Sequence, residues 1–163
     1  MGMLLLEPLY DHFRDTHEAA DELTDGLREH LVETATVYAM GGASKRLAGA
    51  VARRLGFEHA DLDGVQQAPR TVILVAERIR RIGPVDAAIA RLLHAGADRI
   101  FIVTPLAEAA VAREVDDRAD VFVALRRAPR LGMVARWYDQ WTMPAEPTIE
   151  RREPRLTPMV AAV

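Results

Sequence analysis

The stretch Thr71 to Pro105, TVILVAERIRRIGPVDAAIARLLHAGADRIFIVTP, leaves few folds open to the chain that contains it. Thr71-Val72-Ile73-Leu74-Val75 and Arg99-Ile100-Phe101-Ile102-Val103-Thr104 are short apolar runs rich in β-branched residues, the pattern of strands buried on both faces. Between them Pro84 suits a first helical turn, Ala87, Ala88, Leu92 and Leu93 suit an amphipathic helix, and Gly96 suits its stop. A crossover of this length joins parallel strands with a right-handed connection. Ligands of open parallel sheets bind beyond the carboxyl ends of the strands, so the loop Ala76 to Gly83 is the first place to look for function.

The flanking sequence repeats the alternation. Arg14 to Val32 carries Leu23, Leu27 and Leu31 at helical spacing, with Asp15 or Thr16 available as a cap and Glu18 in the first turn. Thr34 to Met40 suits a strand, although its composition also fits a buried helical turn, and a helix through Leu47, Val51 and Leu55 stops at Gly56. Phe57 to Arg70 is polar and turn-rich, with room for a short edge strand. Leu106 to Val115 suits a further helix and Ala119 to Leu125 a further buried strand. Strand-helix pairs in series specify an α/β fold of three layers, a mainly parallel central sheet with helices on both faces. One domain over residues 1–141 accounts for this pattern, with residues 1–13 as an apolar arm. Residues 142–163 form a Pro-rich tail, because Pro144, Pro147, Pro154 and Pro158 forbid a long helix.

Composition removes several function classes. The chain of 163 residues has no cysteine, which excludes disulfides, thiolate metal sites and cysteine nucleophiles. A net charge of -3 gives no basic excess for nucleic acid, so none is expected as a partner. No apolar run approaches the roughly 18 residues of a membrane span, and no basic region precedes the short apolar start, so a cytoplasmic protein is expected. The apolar termini and the aromatic group Trp137, Tyr138 and Trp141 suggest a homo-oligomer, a dimer at least.

Gly41-Gly42-Ala43-Ser44-Lys45 follows the first strand and opens a helix. Glycines let backbone approach a ligand, and free amides at a helix start, with Ser44 and Lys45, favour an anion. A plain strand-to-helix turn with a solvated Lys45-Arg46 pair fits the same residues. The segment lacks both GxxxxGK[ST] and GxGxxG, so it is neither a P-loop nor a dinucleotide fingerprint. His59, Asp61 and Asp63 fall short of the longer acidic loop of an EF-hand, and no metal site is expected among them.

Taken together the segments resemble the type I phosphoribosyltransferase superfamily. Phe13-Arg14-Asp15 with Glu18-Ala19 and Glu22-Leu23 is similar to the opening helix of its predicted bacterial and archaeal members. Ala39 to Ser44, with a helix ending in Arg53-Arg54-Leu55-Gly56, resembles the family's pyrophosphate loop and helix. Val134 to Trp141, VARWYDQW, resembles the aromatic segment after the last core strand. Thr71 to Val75 and the helix from Pro84 fall where the family places its phosphoribosyl-pyrophosphate strand and loop.

The departures lie in that loop. The family carries two acidic residues and then a Thr-Gly turn around the 5'-phosphate, whereas this chain has Ala76 and Glu77, then Arg81 and Ile82, with Pro84 removing an amide. The stretch from Gly56 to Thr71, which in the family supplies a flexible loop and a hood, is also short. The resemblance implies a protein that holds a phosphorylated sugar or nucleotide with catalysis weak or lost, in a regulatory role. Alternatives are an active transferase of ribose 5-phosphate to a nitrogenous base and a structural assembly subunit. It further implies Glu77 as the surviving catalytic carboxylate, at ribose hydroxyls or at magnesium through water. Gly41, Gly42, Ala43, Ser44 and Lys45 would serve pyrophosphate, Arg80 and Arg81 a phosphate, and Trp137 or Tyr138 the base.

Overall fold

A computed structural model describes residues 12–141. The N-terminal arm before residue 12 and the tail from residue 142 onward lie outside the described residues. Five strands, β1 (Thr36–Ala39), β2 (Glu58–Ala60), β3 (Thr71–Val75), β4 (Arg99–Glu108) and β5 (Val121–Ala128), form one sheet in the order β2-β1-β3-β4-β5. Every pairing is parallel. Among the described residues four α-helices accompany them: α1 (Thr16–Arg28), α2 (Lys45–Leu55), α3 (Ile82–His94) and α4 (Ala109–Arg118).

The period of two along each strand sorts side chains into two cores. Val37, Ala39, Ile73, Val75, Phe101 and Val103 face α1 and α2, where they meet Leu23, Leu27, Leu47 and Val51. Tyr38, Val72, Leu74, Ile100 and Ile102 face the opposite way onto Val85, Ala88, Leu92, Ala112 and Val115 of α3 and α4. Burial of a side chain such as Leu23 or Leu74, both fully enclosed, stabilises the fold by about 1.5–3 kcal/mol. The α/β architecture of three layers is therefore observed as read from sequence. Among the described residues no helix is long and apolar enough to cross a membrane.

Element ends differ from expectation where local pattern competes with tertiary pairing. The first helix begins at Thr16, because Asp15 at φ -160° accepts the Glu18 amide at 2.9 Å and is the cap. It ends at Arg28, and Val32, 79% exposed, has no apolar surface to extend toward. The first strand is shorter than Thr34 to Met40, and the third helix opens at Ile82, before Pro84.

The largest correction concerns Leu106 to Val115, expected as a helix. Here β4 continues through Pro105 to Glu108, and the helix starts at Ala109. Proline gives no ladder donor, yet hydrogen bonds on either side of it hold the extended backbone. The Thr104 hydroxyl donates to the Leu106 carbonyl at 3.0 Å, and Ile79 and Glu108 exchange backbone bonds with Leu106 and Ile79 at 2.9 and 3.0 Å. On the other side β5 pairs Leu106 with Arg126 and Ala107 with Arg127, so β5 runs from Val121 to Ala128 and outlasts the expected Ala119 to Leu125.

The strand order fixes where a ligand can sit. From β1 the chain passes to β2 on one side, while β3, β4 and β5 build outward on the other. The segments leaving β1 and β3 therefore diverge at a topological switch point, and a crevice opens between them at the carboxyl end of the sheet.

Candidate functional site

At the end of β1 the Met40 amide bonds the Val75 carbonyl at 2.8 Å, keeping the turn attached to β3. The backbone then reverses at Gly41, with φ +85° and ψ 161°, a region almost restricted to glycine. Gly42 to Ser44 form one 3-10 turn that runs directly into α2. Opposite, the Ala76 amide bonds Val103, Glu77 and Arg78 follow, and the chain passes extended through Arg81 into α3.

Between these two segments lies a cleft of about 380 Å³ lined by Met40, Gly41, Gly42, Ala43, Ser44, Glu77, Arg78, Ile79, Arg80, Arg81 and Pro84. The glycine turn and the arginine loop, read separately from sequence, thus face one another. Ser44 joins them from beneath. Its buried hydroxyl donates to the Met40 carbonyl at 2.8 Å and accepts the Glu77 amide at 2.9 Å. Gly41 and Gly42 leave the wall open, since a Cβ at either would meet nothing within 4 Å.

Charge in the cleft is predominantly positive. Glu77 is the one carboxylate among its lining residues, and Arg78, Arg80 and Arg81 stand beside it. The Glu77 side chain is 9% exposed, and its Oε1 receives Nη1 of Arg78 at 2.5 Å. Burial pushes the Glu77 carboxyl up from its ordinary range, while the Arg78 guanidinium, by charge and hydrogen bond, and then Arg80 oppose that rise. Arg80 donates to the Gly132 carbonyl in the loop after β5. Arg81, exposed at the start of α3, has no ion pair or side-chain hydrogen bond among the described residues.

Three of the residues read from sequence point elsewhere. Lys45 pairs with Asp61 at 3.6 Å, both side chains largely exposed, beside a recess of about 150 Å³ on the other side of the glycine turn, lined by Gly41, Gly42, Leu62 and Asp63 as well. Trp137 is buried among Phe13, Leu106 and Leu131, with its indole N–H bonded to the Leu131 carbonyl at 2.8 Å. Tyr138 packs between Phe13 and Trp141, with ring centroids 5.2 and 5.0 Å away, and reaches the far side of Glu77. Burial pushes its phenol well up, and the Glu77 charge adds to the shift. Tyr138, Trp141, Arg46 and Glu77 line a recess of about 20 Å³, too small for a base in this conformation.

Two roles went unread in the sequence. Arg78 was visible only as one of three basic residues in the loop, and its position next to the sole cleft carboxylate was the available signal. The structural use of Ser44 left no sequence signal. As for magnesium, that ion needs near-octahedral oxygen ligands, commonly one or two carboxylates together with phosphate oxygens. A single carboxylate already engaged by a guanidinium and bordered by further arginines does not fit it.

A parallel sheet in this order, with a glycine turn after β1 and a charged loop after β3 meeting across a cleft, is the type I phosphoribosyltransferase fold. Solved structures similar to this chain share that fold. The Thermus thermophilus protein TT1426 has a TM-score of 0.71 at 18% identity, over 86% of this chain and 96% of that one. Adenine phosphoribosyltransferase of Giardia lamblia, complexed with 9-deazaadenine, has a TM-score of 0.60 at 17% identity, over 69% and 78%. A Neisseria gonorrhoeae protein with bound ppGpp has a TM-score of 0.60 at 14% identity, over 89% and 92%. Identities this low establish the fold alone. No protein-family model and no curated protein matches the sequence.

Proposed function

We propose that the protein binds a phosphorylated sugar or nucleotide, of the phosphoribosyl pyrophosphate kind, in the cleft between Gly41 and Arg81, and that its transferase activity is weak or lost. The observation that carries this reading is the Glu77–Arg78 ion pair inside an arginine-lined cleft at the sheet's switch point. Guanidinium groups match phosphate oxygens in planar, two-pronged geometry, and the starts of α2 and α3 add aligned amides. A solved neighbour of this fold that holds ppGpp supports a nucleotide as one form of the ligand.

Turnover is the weaker part of what the site supports. Arg78 occupies Oε1 of Glu77, so the carboxylate can offer a sugar hydroxyl only the acceptor sites that remain. The catalytic step would also need water excluded, and the cleft is open to solvent at Arg80 and Arg81. Calorimetry with phosphoribosyl pyrophosphate, pyrophosphate and nucleotides tests the binding, and absence of heat from all of them would refute it. A panel of nitrogenous bases with phosphoribosyl pyrophosphate and magnesium tests the chemistry. Ordinary enzymatic rates, abolished by Glu77→Gln, would show an active transferase instead.

A further inference from the structure

We propose that the cleft takes its anionic ligand free of divalent cation, with Arg78, Arg80 and Arg81 supplying the positive charge that a metal would otherwise bring. The inference rests on the binding reading above and concerns the form in which the ligand enters.

A cation entering the cleft meets an unfavourable field. The lining residues offer one carboxylate against three guanidiniums, so the cleft repels a dication before any ligand arrives. That carboxylate is held at 2.5 Å by Arg78, and its backbone is fixed by the bond from the Glu77 amide to Ser44 at 2.9 Å. Glu77 cannot turn away from Arg78 without giving up a part-buried, charge-assisted contact. Arginine also stays protonated throughout the working pH range, so the guanidinium side of the pair keeps its charge.

An anion meets the reverse. Arg81 is exposed and free of partners among the described residues, and it stands at the start of α3, a helix of 13 residues with no side-chain cap. The Ile82 and Gly83 amides open there, and a Cβ at Gly83 would meet nothing within 4 Å, so a phosphate has room to approach. Arg78 is 39% exposed and keeps nitrogen donors beyond the one given to Glu77, so it can serve both. Magnesium that complexes pyrophosphate in solution lowers its charge and occupies the oxygens these donors would use. Added magnesium should therefore compete with the protein for the ligand.

The test is isothermal titration calorimetry of the full chain with pyrophosphate and with phosphoribosyl pyrophosphate, in EDTA and in excess magnesium chloride. The expected result is binding in EDTA at least as tight as in magnesium. Arg81→Ala should weaken binding in EDTA roughly tenfold or more, the scale of a lost charged hydrogen bond. Arg78→Ala should weaken it similarly and shift the preference toward magnesium, because Glu77 is then free. If that variant does not fold, Arg81→Ala alone decides the arginine role. Binding seen only with magnesium, or tenfold tighter with it, would overturn this inference and leave the binding reading standing. No heat in either buffer would overturn both.

Discussion

Replacing Ser44 by alanine removes the one side chain that ties the two walls of the cleft together. Its hydroxyl makes two buried hydrogen bonds, one to the Met40 carbonyl at 2.8 Å and one from the Glu77 amide at 2.9 Å, and the residue is 3% exposed. Leaving a buried backbone donor and acceptor unsatisfied costs about 1–3 kcal/mol each. Water from the adjoining cleft can reach part of the vacated space, so the loss should lie near the lower end, about 2 kcal/mol in all. For a chain of this length that is a fall in Tm of roughly 4–8 °C. Chemical denaturation should show a lower midpoint with an unchanged slope, since the surface exposed on unfolding hardly alters. Pyrophosphate affinity should fall in the same variant, because Glu77 and its loop lose their register against Gly41 and Gly42. A stability change under about 0.5 kcal/mol, the ordinary range of surface substitutions, would refute the stapling role.

Two further perturbations separate backbone from side chain. Gly41→Ala should cost about 1–3 kcal/mol through backbone strain alone, because φ is +85° while the added Cβ meets nothing within 4 Å; an unchanged Tm would show that the turn can relax into another conformation. Asp15→Ala should cost about 1 kcal/mol at neutral pH by uncapping α1. The Asp15 carboxyl is held below its ordinary value of 3.8, first by the Glu18 amide and then by Arg14, so its contribution is present above 3.8 and lost as pH falls through the lower folded value. Denaturation of both proteins across acid pH should show the gap between them closing, and a gap that persists would place the effect elsewhere.

The sheet was legible where burial is continuous. Thr71 to Val75 matched residue for residue, because a central strand enclosed on both faces has no polar position to blur its ends. The stop of α3 before Gly96, at φ +110°, was written in the glycine. The strand β2 could be given only a place, since Glu58 and His59 are exposed and three residues held by backbone pairing to β1 leave no hydrophobic pattern. Pro105 misled for a related reason. Its local meaning is the end of a strand, but Ile79 and Arg126, distant in sequence, hold the following residues in the sheet. In the site, the two facing loops were readable from their glycines and arginines. The directions of Ser44, Lys45 and Trp137 were not, because they depend on the rotation of α2 against the sheet and on the packing of the segment after β5.

The same physics separates the charge of the arginine loop from the frame of the fold. Each wall hangs on a strand end, Met40 on Val75 and Ala76 on Val103, and Ser44 joins the walls below the cleft floor. None of these bonds involves the side chains of Arg78, Arg80 or Arg81, so those positions set the charge of the cleft, and Arg80 alone of the three adds a tie, to the Gly132 carbonyl. Within that frame Glu77 is held between opposed influences, burial favouring its neutral acid and the neighbouring guanidiniums favouring its anion. The arginines therefore govern two properties together. On the binding reading proposed above, they set how strongly a phosphate is drawn in and how far Glu77 is engaged by a guanidinium.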